Sequence, residues 1–154
     1  MNSKINLGPM IQVGIVVRDA DATVRAWRAR FELPPARFVD WPPPGRNLEA
    51  TCTYHGAPGN FRMILAFIET PTIQLEFIQP LEGDNIYSDH LAEHGEGLHH
   101  LLFEVVDPAA VAAGLQTPVL QSGGSSLHPG ASWSYLDTQA LLGCMIELRS
   151  KPPG

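Results

Sequence analysis

The chain has 154 residues, 44% of them hydrophobic, with 10 Lys+Arg against 16 Asp+Glu and a formal net charge of -6. That is ample apolar material for one compact domain spanning 1–154, and it excludes wholesale disorder. The acidic balance argues against a protein that tracks nucleic-acid phosphates, and no apolar run reaches the roughly 18 residues that cross a bilayer as a helix.

The opening stretch Met1 to Met10 carries one Lys and no apolar core, unlike a secretory signal. Cys52 and Cys144 are too few for a disulfide framework, so a reducing cytoplasm is the expected compartment. Ile11 to Val17 is β-branched and predicts a buried strand. Asp19 to Phe31 predicts a helix, with Val24, Trp27 and Phe31 on one face. Pro34 to Pro58 holds six prolines beside Gly45 and Gly56 and predicts an elaborated hairpin and loop, since Pro lacks the backbone donor. Met63 to Glu69 and Thr72 to Gln79 predict a strand pair.

His90-Leu-Ala-Glu93-His94 matches a short zinc-peptidase pattern, but Gly95 stops any helix there. The segment reads better as a solvated turn between two halves. Leu98 to Val106 predicts a strand, and Asp107-Pro108 opens an Ala-rich helix with Asp as cap. Gln121 to Gly130 predicts a loop around Gly123-Gly124-Ser125-Ser126. Ser132 to Asp137 and Leu142 to Arg149 predict the last strands, and Lys151 to Gly154 a tail.

The chain repeats itself. Gln12-Val-Gly-Ile-Val-Val-Arg-Asp19 lies over His100-Leu-Leu-Phe-Glu-Val-Val-Asp107 at a constant offset of 88, and Leu75-Glu76-Phe77 resembles Ile146-Glu147-Leu148. Each half runs strand, helix, then strands that end on a Glu, so two modules are expected, about 10–80 and 97–150. Strand alternation puts Gln12 with Gly14, Glu76 with Ile78, His100 with Leu102 and Glu147 with Arg149. If the modules form one curved sheet, Gln12, Glu76, His100 and Glu147 meet at its concave centre. An amide oxygen, an imidazole and two carboxylates suit a divalent transition metal. Pairing of Glu76 or Glu147 with Arg149, Arg18 or Arg62 would satisfy the same acids without one.

By the same alternation His99 points away from His100, Glu104 sits at the rim, and Cys144 is buried and inert. His55 and His128 sit in loops. Trp27 reads as core, and Trp41 and Trp133 read as packing that could also line a mouth. No cluster of Lys or Arg marks a pocket for a coenzyme A phosphate.

These segments, with Gly95-Glu-Gly-Leu-His-His-Leu-Leu-Phe-Glu-Val105 and Tyr135-Leu-Asp-Thr138, resemble the vicinal oxygen chelate superfamily of glyoxalases, bleomycin-resistance proteins and methylmalonyl-CoA epimerases. The resemblance implies an α+β fold in which two βαβββ modules form a curved mixed sheet, a glyoxalase-like cup around one metal. It puts the ligands on Gln12, Glu76, His100 and Glu147. The epimerases carry His where this chain has Gln12, whereas some glyoxalase I enzymes use the order Gln, Glu, His, Glu. The implied chemistry is proton abstraction next to a carbonyl with a metal-stabilised enediolate, as an isomerase or lyase, with Glu147 as base and Glu76 as alternate. The metal would be Zn, Ni, Co or Mn, the partner a small-molecule substrate and the assembly a homodimer. Neither nucleic acid nor membrane is expected as a partner. The alternative is a metal-free small-molecule binder of the bleomycin-resistance type.

Overall fold

The computed structural model describes residues 4–48, 51–125 and 128–151. Residues 152–154 of the expected tail, 126–127 of the expected loop and 49–50 of the proline-rich stretch lie outside the described residues.

The first module opens with β1 (Met10–Val16), which leads through Asp19 into α1 (Ala20–Arg28). The Asp19 side chain accepts from the Ala22 amide, satisfying a donor the helix leaves free, and Asp21 pairs with Arg25 one turn on. Regular helix ends at Arg28, short of the expected Phe31, whose amide still donates to the Trp27 carbonyl at 3.0 Å while its side chain stays exposed. Val24 and Trp27 still pack α1 onto the outer face of the sheet with Ala66, Ile68 and Phe77. Then come β2 (Arg37–Trp41), the short pair β3 (Thr53–Tyr54) and β4 (Ala57–Pro58), β5 (Arg62–Glu69) and β6 (Gln74–Glu82).

The link to the second module is α2 (Ile86–His94), a true helix rather than a solvated turn. The Asn85 side chain accepts from the amides of Tyr87 and Ser88, and Ile86, Tyr87 and His90 are buried. The second module follows as β7 (Gly97–Val105), α3 (Pro108–Leu115), β8 (Val119–Gly124), β9 (Ser132–Leu136), the short α4 (Gln139–Leu142) and β10 (Met145–Ser150). β8 occupies part of the expected loop. Gly123 serves close packing there: a Cβ would lie 2.7 Å from Trp133 Cζ2 and 2.9 Å from Cys52 Sγ.

All ten strands form one mixed sheet in the order β2-β5-β6-β1-β7-β10-β9-β8-β3-β4. β1 runs parallel to β6, β7 parallel to β10, and β1 meets β7 antiparallel at the centre. The two βαβββ modules thus mirror each other about the β1–β7 seam. The proline-rich insertion departs from this frame by sending β3 across to pair with β8 of the second module. Thr53 and Ser122 hydroxyls bond at 2.8 Å across that junction. The chain thereby covers an edge that the repeat alone leaves open to a partner. Helices α1 and α3 back the convex face over separate apolar clusters, while a third cluster, with Trp41, Phe61, Phe67, Tyr87 and Tyr135, fills the concave side. Among the described residues no helix is long and apolar enough to cross a membrane.

Candidate active site

The four candidate ligands come from the four central strands. Cross-strand register sets Gly14 beside both Glu76 and His100, and Glu147 beside Leu102, which itself faces Gln12. All four are buried. Their polar atoms converge on His100 Nε2: Gln12 Oε1 lies at 2.9 Å, Glu147 Oε2 at 2.9 Å and Glu76 Oε1 at 3.5 Å. Gly14 makes this possible, because a Cβ there would fall inside the His100 ring. The imidazole therefore packs against Gly14 of β1.

A bulge decides the other histidine. Gly14 pairs with His100 but Ile15 pairs with Leu98, so His99 is the extra residue on β7. The extra residue breaks the alternation, and His99 does not turn away from His100. It is fully buried between His100 and α2, with its Nδ1 3.0 Å from His100 Nδ1 and its ring beside Tyr87, His90 and Tyr135. Alternation alone could not reveal this contact.

Charge follows from the geometry. Burial holds the Glu76 carboxyl up to about 8, against the pull of His100 and with a push from Glu147. Burial also disfavours the His100 cation, but Glu147, in short contact with it, and Glu76 outweigh that and raise its pKa. Burial, then His100 and His90, hold His99 well below the usual range, so it is neutral. His100 is thus the cation of the cluster, held by its contact with Glu147, and neutral His99 accepts from its Nδ1–H. Its Nε2–H is given to Gln12, which leaves Glu147 Oε2 buried without a hydrogen-bond partner. The Gln12 amide is itself oriented: Nε2 donates to Gln74 Oε1 at 2.6 Å, and Gln74 Nε2 donates to Glu69 Oε1 at 2.5 Å.

With the imidazole at their meeting point, the acids are closed around a proton. Among the described residues no group of three or more His, Cys, Asp or Glu side chains has the spacing of a metal cage. The donor set itself fits a divalent cation: two carboxylates, an imidazole with a buried partner on its other nitrogen, and an amide oxygen pinned from behind. The orphaned Glu147 Oε2 is the atom such a cation would satisfy.

Above the cluster opens a cavity of about 70 Å³. Trp41, Tyr87, Trp133 and Tyr135 supply aromatic walls, and Met63, Leu65 and Phe67 an aliphatic and aromatic flank. Trp41 and Trp133 therefore line the mouth as well as pack. Arg149 does not pair with either site acid; it bonds Glu104 at 3.1 Å, while Arg62 pairs with Glu82. Sequence reasoning missed Gln74, His99 and the arginines Arg37 and Arg149 of the mouth. Cys144 is partly buried beside the α3 cluster, where burial raises its thiol, as expected of an inert residue. His90 and His94 are in tilted ring contact on α2 outside the cavity.

Comparisons with known proteins agree with this architecture. The sequence profile of the Glyoxalase/Bleomycin resistance protein/Dioxygenase superfamily matches residues 11–118. No curated protein matches the sequence significantly. Among solved structures, a hypothetical protein of Bacillus halodurans C-125 superposes with a TM-score of 0.68 at 16% identity, over 95% of this chain and 96% of that one. Streptomyces coelicolor methylmalonyl-CoA epimerase, in complex with 2-nitronate-propionyl-CoA, gives 0.65 at 24% identity over 96% and 100%. The epimerase from Mycobacterium tuberculosis gives 0.65 at 16% over 94% and 88%. At these identities the likeness is one of fold.

Proposed function

Because the chain belongs to the Glyoxalase/Bleomycin resistance protein/Dioxygenase superfamily, we propose that it is a divalent-metal-dependent enzyme that moves a proton next to a carbonyl in a small oxygen-bearing substrate. The observation that carries this reading is the convergence of Gln12, Glu76 and Glu147 on His100 Nε2 at the floor of the cup. These four side chains would hold the cation, which when bound supplies a Lewis acid to two adjacent substrate oxygens.

The rest is the work of the chain. Glu147 borders the cavity with a buried, unpartnered oxygen, and takes the proton from the carbon next to the carbonyl. Glu76 stands on another strand, across His100, and can return the proton from a different side. Transfer between the two acids gives an epimerisation; return by one acid to the neighbouring carbon gives an isomerase or lyase of the glyoxalase type. His99 fixes the tautomer of His100 through the Nδ1 contact, and Gln74 fixes the Gln12 amide. Trp41, Tyr87 and Tyr135 keep bulk water off the acids.

Since the Streptomyces coelicolor epimerase was solved with a coenzyme A ester analogue, 2-methyl acyl thioesters are the first substrates to try and 2-oxoaldehyde hemithioacetals the second. Inductively coupled plasma mass spectrometry on tag-free protein given Zn, Ni, Co and Mn in turn should find near one metal per chain. That metal should be lost in His100→Ala and Glu147→Ala. Proton exchange from solvent deuterium should then appear with one substrate class. Absence of metal under every condition, with folded variants that behave as wild type, sinks the enzyme. It would favour a metal-free ligand trap, which the aromatic walls already suit. Homodimer formation is proposed as well, and sedimentation equilibrium tests it.

A further inference from the structure

At the open end of the cup the lining changes sign. Arg37 on β2 and Arg149 on β10 both border the cavity, together with Ser125 and His128. The Arg37 guanidinium lies 4.7 Å over the Phe67 ring, and among the described residues no carboxylate pairs with it. Arg149 gives one Nη to Glu104, while its Nε is buried without a hydrogen-bond partner. His128 feels both arginines: burial first, then Arg149 and, behind the opposing Glu104, Arg37 lower its pKa. Two guanidinium groups and an imidazole therefore line the cavity that Glu76 and Glu147 also line, in a chain whose net charge is -6.

We propose that Arg37, Arg149 and His128 form a second subsite, which takes a carboxylate or phosphate oxyanion carried by the ligand of the cup. Planar guanidinium groups bind such oxyanions through paired hydrogen bonds, and the aromatic support under Arg37 fixes one of them in place. Arg149 stands two residues beyond Glu147 on the same strand face, a rise of about 7 Å. Arg37 pairs with Phe67, which pairs with Glu76, so it stands two strand spacings, about 10 Å, from that acid. The ligand is thus a small molecule with chelating oxygens at one end and an anionic group roughly 7–10 Å away. That the two ends belong to one substrate rests on the proposed proton-transfer reading; the oxyanion subsite itself does not. The two arginines lie far apart in sequence and line one cavity only through the fold.

The test is an NMR titration of the full, chelator-treated chain with inorganic phosphate and, separately, with glutarate. The reporter is the Trp133 indole N–H, identified through Trp133→Phe, since Trp133 pairs with Arg149 across β9 and β10. Wild type should show saturable shifts. Arg37→Gln and Arg149→Lys should each weaken binding about tenfold, as expected for loss of a charge-assisted pair. Arg37 is exposed on an edge strand, so its variant folds even if Arg149→Lys does not. Arg62→Gln removes the same charge from the far end of β5 and should stay within about twofold of wild type. Glu104→Gln, which releases Arg149, should tighten binding about threefold. A preference for phosphate identifies a phosphoryl tail, and a preference for glutarate a carboxylate one. Shifts that never saturate, or an Arg62→Gln loss equal to that of Arg37→Gln, overturn the subsite. Because no cation is present, failure of the metal-dependent reading leaves this result untouched, and the converse holds.

Discussion

The two modules share a frame and differ in what hangs from it. In the first, β1 presents Gln12 and Gly14 to the cup and β6 presents Glu76 and Ile78. In the second, the matching positions hold His100 and Leu102 on β7, and Glu147 and Arg149 on β10. Topology repeats: each module sets its first strand parallel to its last, and the two first strands pair at the seam. The side chains break the symmetry at three of the four positions. Gly14 stands where a leucine would exclude the His100 ring, so the smaller residue of one module makes room for the larger residue of the other. Ile78 is fully buried where Arg149 reaches the mouth, so at this matched position only the second module brings a charge to the cavity. A repeated fold supplies matched anchor points; divergence at those points supplies directionality.

The acids offer the strongest way to break this comparison. They are the one pair the modules share, so equal roles would make the site symmetric. Their surroundings differ: Glu147 touches His100 at 2.9 Å, and Glu76 stands at 3.5 Å with its proton retained by burial. Glu147→Gln should slow deuterium incorporation into a turned-over 2-methyl acyl thioester by about 10³-fold, and Glu76→Gln by about 10²-fold. Equal losses in single-turnover exchange would assign both acids the same task.

Gly14→Ala is the next largest. The added methyl must displace the imidazole, at a cost of about 1–3 kcal/mol in stability and about 10–100-fold in metal affinity. Urea unfolding and a chelator-competition titration read the two effects. A variant that binds metal as wild type does would show that His100 need not lie over β1. Gln74→Leu should come below that, at about tenfold in metal affinity with unfolding little changed, because it frees the Gln12 amide to turn. In the second module His99 does the holding.

That contrast marks where sequence reasoning reached and where it stopped. Alternation and the offset repeat put Gln12, Glu76, His100 and Glu147 on one face because regular strands transmit sequence parity directly into space. Parity fails at a bulge, and the one at His99 leaves no mark in a single sequence. Gly123-Gly124 read as loop because glycine signals turns more often than tight packing, and here Trp133 and Cys52 demand the missing side chain. α2 is a helix where a solvated turn is expected, because the Asn85 side chain satisfies its first free amides. Arg37 and Arg149 were beyond reach, since their proximity depends on how far the sheet curls.

The smallest effect tests where the modules stop being separate. The insertion belongs to the first module in sequence, yet β3 pairs with β8, and the Tyr54 hydroxyl donates to Asp89 on α2 at 2.5 Å. Tyr54→Phe should cost about 1 kcal/mol at neutral pH, since the bond has a charged acceptor but is half-exposed. It should leave the affinity of the cup unchanged. The hydrogen bond to Asp89, then burial, then the charges of Asp89 and Asp84, raise the Tyr54 hydroxyl from 10.0 to about 12. A group whose folded pKa lies above its unfolded one contributes in full below the unfolded value and loses that contribution as pH climbs through the folded one. The stability gap between wild type and Tyr54→Phe should therefore hold up to about pH 10 and close toward about pH 12. Urea unfolding across that range follows it. A gap that stays constant would mean the hydroxyl contributes through packing, and that the insertion is held to the second module by the β3–β8 ladder and the Thr53–Ser122 bond.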